Sequence, residues 1–340
     1  MGKTENGRPT ALPGLAGMKG FWEYMTIQDN LKGKTVSELK EIAAQIGCTG
    51  FSRMKKAELS DLVLENLTDP ETVKIFLTTI NEEEFKRFKK LCRRPESKDI
   101  YLPSFDRIGY GKSHQQELPL YTVLTEEIQA FSLEDLDKAF YRNRRQMQKL
   151  YRYLSAFVQY YGIIDLVTAV TLLQKYEGMT ITTDDLYVDA STLCMAQTPF
   201  WLDQNRIISD ALEDEEMEEL WESQQGKPYA FLPREQLLRY ADMMYAPHLP
   251  EAEPVCRFLQ EYFRISAKEA RKETDFLCQV MMTETEPGEV FDILHTDGYT
   301  FKEIENVQAF LALFTELFQQ LPLWMNRGFS QAELPGVMAE

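Results

Sequence analysis

Residues 31–67, LKGKTVSELKEIAAQIGCTGFSRMKKAELSDLVLENL, constrain the fold most tightly, because start and stop signals for two helices crowd into one short stretch. Thr35 and Glu38 have the S/T-x-x-E spacing of a capping box. Val36, Leu39, Ile42, Ala43 and Ile46 then recur at helical spacing, and Gly47 stands where a left-handed C′ residue would end the helix. Ser52 is the expected cap of a second helix whose apolar face is Leu59, Leu62, Val63 and Leu67. The pattern predicts a compact helix-loop-helix unit. So small a unit rarely stands alone, so the next helix, with Val73, Phe76, Leu77 and Ile80 on one side, is expected to pack on it.

The T-V-x-E-L-x-x-I-A run (Thr35 to Ala43), Gly47, Gly50 and the S-R-M-K-K-x-E-L run (Ser52 to Leu59) resemble the N-terminal domain of transcription termination factor Rho. That module is related in shape to SAP domains. The resemblance covers about a tenth of the chain, and no OB domain is recognisable after it. It implies a nucleic-acid contact through Arg53, Lys55 and Lys56 at the start of the second helix, where backbone amides also favour phosphate. The competing reading makes these cations ordinary solvated charges on a packing unit.

Charge is divided unequally. Of 37 basic and 54 acidic residues, residues 1–153 hold 25 and 22, a net of +3; the remainder holds 12 and 32, a net of −20. The total of −17 opposes general adhesion to nucleic acid, yet a basic N-terminal half still allows localised binding. A protein partner is the matching expectation for the acidic half. With 340 residues, 44% of them hydrophobic, the chain can bury substantial cores. No stretch approaches the roughly 20 apolar residues that span a bilayer, and Pro13, Gly14 and Gly17 interrupt any signal-like apolar core. Five widely spaced cysteines (Cys48, Cys92, Cys194, Cys256, Cys278) fit packed, reduced thiols. A cytoplasmic, bacterial protein with no membrane contact is expected.

The sequence predicts an all-α chain, a small helix-loop-helix module followed by a larger irregular helical domain. Residues 1–20 read as a mobile tail, rich in Gly and Pro, and the aromatic stretch Phe21 to Ile27 is expected to pack on the module. Residues 21–94 read as the module with added helices. Residues 95–125, with Pro103, Gly109, Gly111 and Pro119, read as a linker or irregular segment, and 126–340 as an acidic helical domain with a further division near 223–235. Ser132 is the expected cap of a long helix carrying Met147, Leu150, Tyr151, Leu154, Phe157, Val158 and Tyr161 on one face, broken at Gly162. Later helices are expected from Thr183, over 210–222, near Leu237 to Tyr245, and onward to Leu321. No period-2 alternation or hairpin signal stands out.

Catalytic motifs are absent or broken. Gly111-Lys112-Ser113 ends like a phosphate-binding loop, but Asp106 replaces its first glycine, and Pro119 follows too soon for the helix the motif needs. It reads as a flexible loop. His114, His248 and His295 have no neighbouring ligand pattern, and no C-x-x-C or H-E-x-x-H occurs, so neither metal nor cofactor is expected and an enzyme is not the reading. Two basic helical faces are better candidates for nucleic acid. Lys86, Arg87, Lys90 and Arg94 lie away from Phe85, Phe88 and Leu91, and Arg142, Arg145, Lys149 and Arg152 lie opposite the long helix's apolar face. Clustering is what phosphate neutralisation requires, although amphipathic helices also turn charge outward for solvation alone. Val307 to Trp324 is apolar over most of its girth, with Phe310, Leu313, Phe314, Leu317 and Leu321 on one face; it reads as a core helix, with a dimer interface as the competing reading. Leu323 to Leu334 reads as a turn around Gly328 with a capped restart at Ser330.

Overall fold

The computed structural model describes residues 25–114, 119–242, 245–284 and 286–338. The tail expected over 1–20, and residues 21–24 of the aromatic stretch, lie outside them. The N-terminal body starts with α1 (Ile27–Lys32), α2 (Val36–Gln45), α3 (Lys56–Leu67), α4 (Pro70–Thr79) and α5 (Glu82–Arg93). The capping box forms: Thr35 N–H donates to Glu38 Oε2 at 2.6 Å, and Glu38 N–H donates to Thr35 Oγ1 at 3.2 Å. α2 ends in a Schellman turn, Cys48 N–H to Ala43 O at 2.8 Å and Gly47 N–H to Ala44 O at 3.1 Å, with Gly47 at φ +76°. Leu39, Ile42 and Ala43 meet Leu59, Val63 and Leu67 in one core, which α4 completes with Val73, Phe76 and Leu77. Two local expectations are corrected. Ser52 lies in a 3-10 turn (Phe51–Arg53), and α3 instead starts after Lys55, because Glu58 reaches back to the Lys55 N–H. Val36 is exposed and Leu62 only half-buried, so the two apolar stripes are narrower than periodicity suggests.

The chain is mostly helical, and the all-α expectation is corrected by two small antiparallel sheets among the described residues. Residues 95–125 are not an irregular connection. They carry α6 (Pro103–Ile108) and a pair of strands, β1 (Gly111–His114) and β2 (Tyr121–Leu124), with Gly111 opposite Leu124. Ile100, Leu102, Phe105, Ile108, Tyr110 and Leu124 are buried with the module, and Tyr110 Oη donates to Leu67 O at 3.0 Å. The phosphate-loop-like residues are therefore strand, not loop. Asp106 Oδ1 accepts from Ser113 N–H at 3.2 Å, and Gly111 sits so close to Thr122 that a Cβ would lie 2.7 Å from its methyl.

After α7 (Glu126–Gln129) comes the long α8 (Lys138–Tyr161), capped by Asp137; Ser132 caps only the 3-10 turn before it. Beyond Gly162 the expected helix is preceded by a strand. β3 (Ile163–Asp165) leads into α9 (Leu166–Glu177) and α10 (Thr183–Leu193), then β4 (Phe200–Asp203) and β5 (Arg206–Ser209), which complete a sheet of order β3-β5-β4. α11 (Asp214–Ser223) and α12 (Arg234–Leu237) follow, the latter much shorter than the helix expected near 237–245. Leu150 to Tyr240 share a second core with Met282 and Trp324, and Ala246 to Leu323 form a third. The third is built from α13 (Ala252–Phe263), α14 (Ala267–Val280), α15 (Val290–Thr296) and α16 (Ile304–Phe318). Phe310, Phe314, Leu317 and Phe318 are buried there, as the core reading required. Residues 323–330 return to the second body: Trp324 Nε1 donates to Gln159 O at 3.0 Å, and Tyr160 Oη to Gly328 O at 2.8 Å. The turn at Gly328 thus ties the third core to α8.

Candidate nucleic-acid interface

The carbonyls that end α4 have no partners within their own helix. α8 supplies them. Arg144, only 4% exposed, donates Nη1 to Leu77 O at 2.5 Å and to Ile80 O at 2.8 Å; Gln148 Nε2 donates to Thr78 O at 2.9 Å and Ile80 O at 3.0 Å. The Arg144 cation also sits 4.1 Å from the Phe85 ring centre. Burial lowers the Arg144 pKa, while Glu82 opposes the shift. These bonds lock α8 beside the corner from which α5 departs, and a groove of about 560 Å³ opens between α5 and α8. Lys89 stands on its α5 side; Tyr141, Arg145, Gln148, Lys149, Arg152 and Tyr153 follow one edge of α8; Arg234 of α12 closes one end.

Lys149 Nζ and Arg234 Nε each contact Glu177 at 2.7 Å, and Tyr153 Oη donates to it at 2.6 Å. Hydrogen bonds from Lys149 above all, with Tyr153 and Arg234, hold the Glu177 carboxyl down at about 2. Glu177 therefore stays ionised and cancels part of the charge behind the groove wall. Arg145 and Arg152 are exposed and have no ion-pair partner among the described residues. They leave the concave face positively charged.

The sequence-predicted cations separate into three sets. Of the second helical face, Arg145, Lys149 and Arg152 line the groove; Arg142 is exposed on the same helix outside the lining. Of the α5 face, Lys86 pairs with Glu82 at 4.0 Å, Arg87 with Glu83 at 2.5 Å and Lys90 with Asp99 at 3.2 Å, while Arg94 is exposed. That face is largely neutralised by its own neighbours, and the α5 residue that reaches the groove is Lys89. Arg53, Lys55 and Lys56 are exposed together on the module. Lys40 Nζ donates to Ser52 O at 3.0 Å and Lys56 Nζ to Lys32 O at 3.3 Å, so Lys40 joins the same surface. Bonds from Thr35 lower the Glu38 pKa, and the nearby charges of Lys34 and Lys56 add to the effect. Glu58 accepts from the N-cap amide, Lys55 N–H, at 3.0 Å, while no side chain caps the first-turn amides of α3.

Residues 30–72 match the Rho termination factor N-terminal domain. The match spans α2, α3 and the start of α4, the part that carries the module patch, and stops short of α5 and α8. No curated protein and no solved structure matches the chain. Lys89, Arg144 and Arg234, which the sequence reading passed over, complete the groove around the Rho-like module's neighbours. Lys89 follows Phe85 by one helical turn, a signal open to inspection; Arg234 lies 57 positions from Glu177 and gives none. Among the described residues no cluster of three or more His, Cys, Asp or Glu side chains could hold a metal, and no helix is long and apolar enough to cross a membrane.

Proposed function

We propose that this protein binds nucleic acid without sequence preference, with the α5–α8 groove as the principal contact and the Rho-like module's Arg53, Lys55 and Lys56 as an outlying one. The observation that carries this reading is the convergence of Lys89, Arg145, Lys149, Arg152 and Arg234 on one concave surface against one acid, Glu82, among the described lining residues. Cations clustered on one face displace condensed counterions when they meet phosphates. The −20 charge of residues beyond 153 confines such binding to this face. A cytoplasmic setting fits the five free thiols and belongs to the same reading, as does a bacterial source.

The direct test is binding of the full chain to generic RNA and DNA at about 50 mM salt and upward, where affinity falls steeply if phosphates are the contact. No binding at the lowest salt overturns the reading. A cut at residue 153 would not serve as a test, because it falls inside α8. A second reading, a protein-interaction role with the Rho-like module as a packing unit, is favoured by a cleft of about 520 Å³ between α2, α4 and α10. Ile75, Tyr187 and Val188 line it, 47%, 43% and 61% exposed. Apolar side chains grouped in this way mark contact surfaces more often than scattered ones do. The acidic half as the docking region for a protein partner belongs to this second reading.

A further inference from the structure

The groove mixes two kinds of group. Tyr141 lies at one end of its α8 edge, followed at one-turn intervals by Arg145, Lys149 and Arg152. At 1.5 Å per residue the run from Tyr141 to Arg152 is about 16 Å long. Tyr141 is 40% exposed, and its only ring contact among the described residues is an edge contact with Phe140 at 5.1 Å and 82°. The ring is therefore part-exposed on the groove lining, with no stacked aromatic partner among the described residues. At the other end, Tyr153 begins a stack of three rings, Tyr153–Tyr176 at 5.8 Å and Tyr176–Phe231 at 5.1 Å, interplanar angles 24° and 9°. That stack makes a stiff wall beside Arg234, which donates to Tyr153 Oη at 3.1 Å.

We propose that the α5–α8 groove takes a single-stranded nucleic acid, with phosphates on Arg145, Arg152 and Lys89 and an unstacked base on the face of Tyr141. This deepens the reading above and rests on it. A duplex keeps its base faces inside the stack and offers phosphate and groove edges only. It could meet the rim cations, but its stacked bases could not use a part-exposed tyrosine ring on a concave wall. A single strand presents phosphates and ring faces together, which is the pairing this lining supplies. The same chemistry, a phosphate joined to a planar base, also occurs in a free mononucleotide. The length of the cation run past Tyr141 favours a strand of several units.

The test uses the full chain and three probes: a mixed-sequence DNA strand of roughly 16 nucleotides, its duplex, and adenosine monophosphate as competitor. The strand should bind at least about tenfold more tightly than the duplex. Tyr141→Ala should weaken strand binding about tenfold, leaving duplex binding unchanged, and Tyr141→Phe should retain strand affinity. Because Tyr141 is surface-exposed, circular dichroism of both variants should match the parent chain. Equal affinity for strand and duplex, indifference to Tyr141→Ala, or competition by the mononucleotide as strong as by the strand each overturns the proposal. The nucleic-acid reading itself survives the first two outcomes. Absence of binding by strand, duplex and mononucleotide alike removes that reading with it.

Discussion

The module patch and the α5–α8 groove are both basic, and they are built in opposite ways. The patch is local: Arg53, Lys55 and Lys56 come from one helix-loop-helix unit and are exposed, with the half-buried Lys40 beside them. The groove is tertiary. Its cations come from α5, α8 and α12, and its shape depends on Arg144 and Gln148 satisfying the end of α4. A local pattern is enough to place charges on a convex surface, where water screens them. Assembling charges around a concavity takes packing between distant segments, and screening there is weaker.

The largest effects should come from breaking what builds each region. Arg144→Ala would strip the buried Leu77 carbonyl of its donor and leave the Ile80 carbonyl on Gln148 alone, at a cost of about 1 to 3 kcal/mol, and should loosen the groove. Leu39→Ala, in the module core, should cost about 2 to 5 kcal/mol. Leu62→Ala should cost less, because Leu62 is only half-buried. Urea denaturation of the three variants checks both values and their order.

Next comes charge. Arg145→Glu with Arg152→Glu should lower nucleic-acid affinity by at least about tenfold and flatten its salt dependence by about two phosphate contacts. Stability should change by no more than about 0.5 kcal/mol per site. Fluorescence anisotropy over a salt series reads the first effect and thermal melting the second. The Glu177 carboxyl sharpens the comparison, since it restrains only the groove. Its pKa is depressed in the folded chain, so its contribution to stability is present above the ordinary carboxylate value of about 4.5 and is lost as pH falls toward about 2. Glu177→Gln should remove that contribution, free Lys149 and Arg234, and raise nucleic-acid affinity several-fold at neutral pH. Unchanged or weaker binding by this variant would mean that the groove's field is not what attracts the ligand.

The smallest effect is expected from the patch. Arg53→Ala, Lys55→Ala and Lys56→Ala together should weaken binding by less than the groove reversal does and leave the melting temperature nearly unchanged, because exposed cations contribute little to folding.

The same contrast explains what could be read in advance. The Thr35–Glu38 box, the Gly47 stop and the burial of Leu39, Leu59 and Val63 all depend on neighbours within a few positions, and all were legible. The two sheets were not. Strands of three or four residues, such as Gly111–His114 with no large apolar residue, are too short to show alternation, and their pairing depends on partners up to 45 positions away. The groove was half legible. α8's own periodicity brings Arg145, Lys149 and Arg152 to one side, but Lys89 and Arg234 join them only through the contact of α4 with α8 and the return of α12. On α5 the periodicity shows the cations but not their partners. Lys86 and Arg87 follow Glu82 and Glu83 by four positions, the spacing of intrahelical ion pairs, and are neutralised there.

The central claim, that the groove and not the module patch is the principal nucleic-acid contact, is tested most directly by one measurement. The salt slope of strand binding is compared for the parent chain, Arg145→Glu/Arg152→Glu, and Arg53→Ala/Lys55→Ala/Lys56→Ala. The account predicts that the groove variant loses most of the affinity and most of the slope, with the patch variant close to the parent. A patch variant that loses binding, beside a groove variant that keeps it, would contradict the account and return the function to the Rho-like module alone.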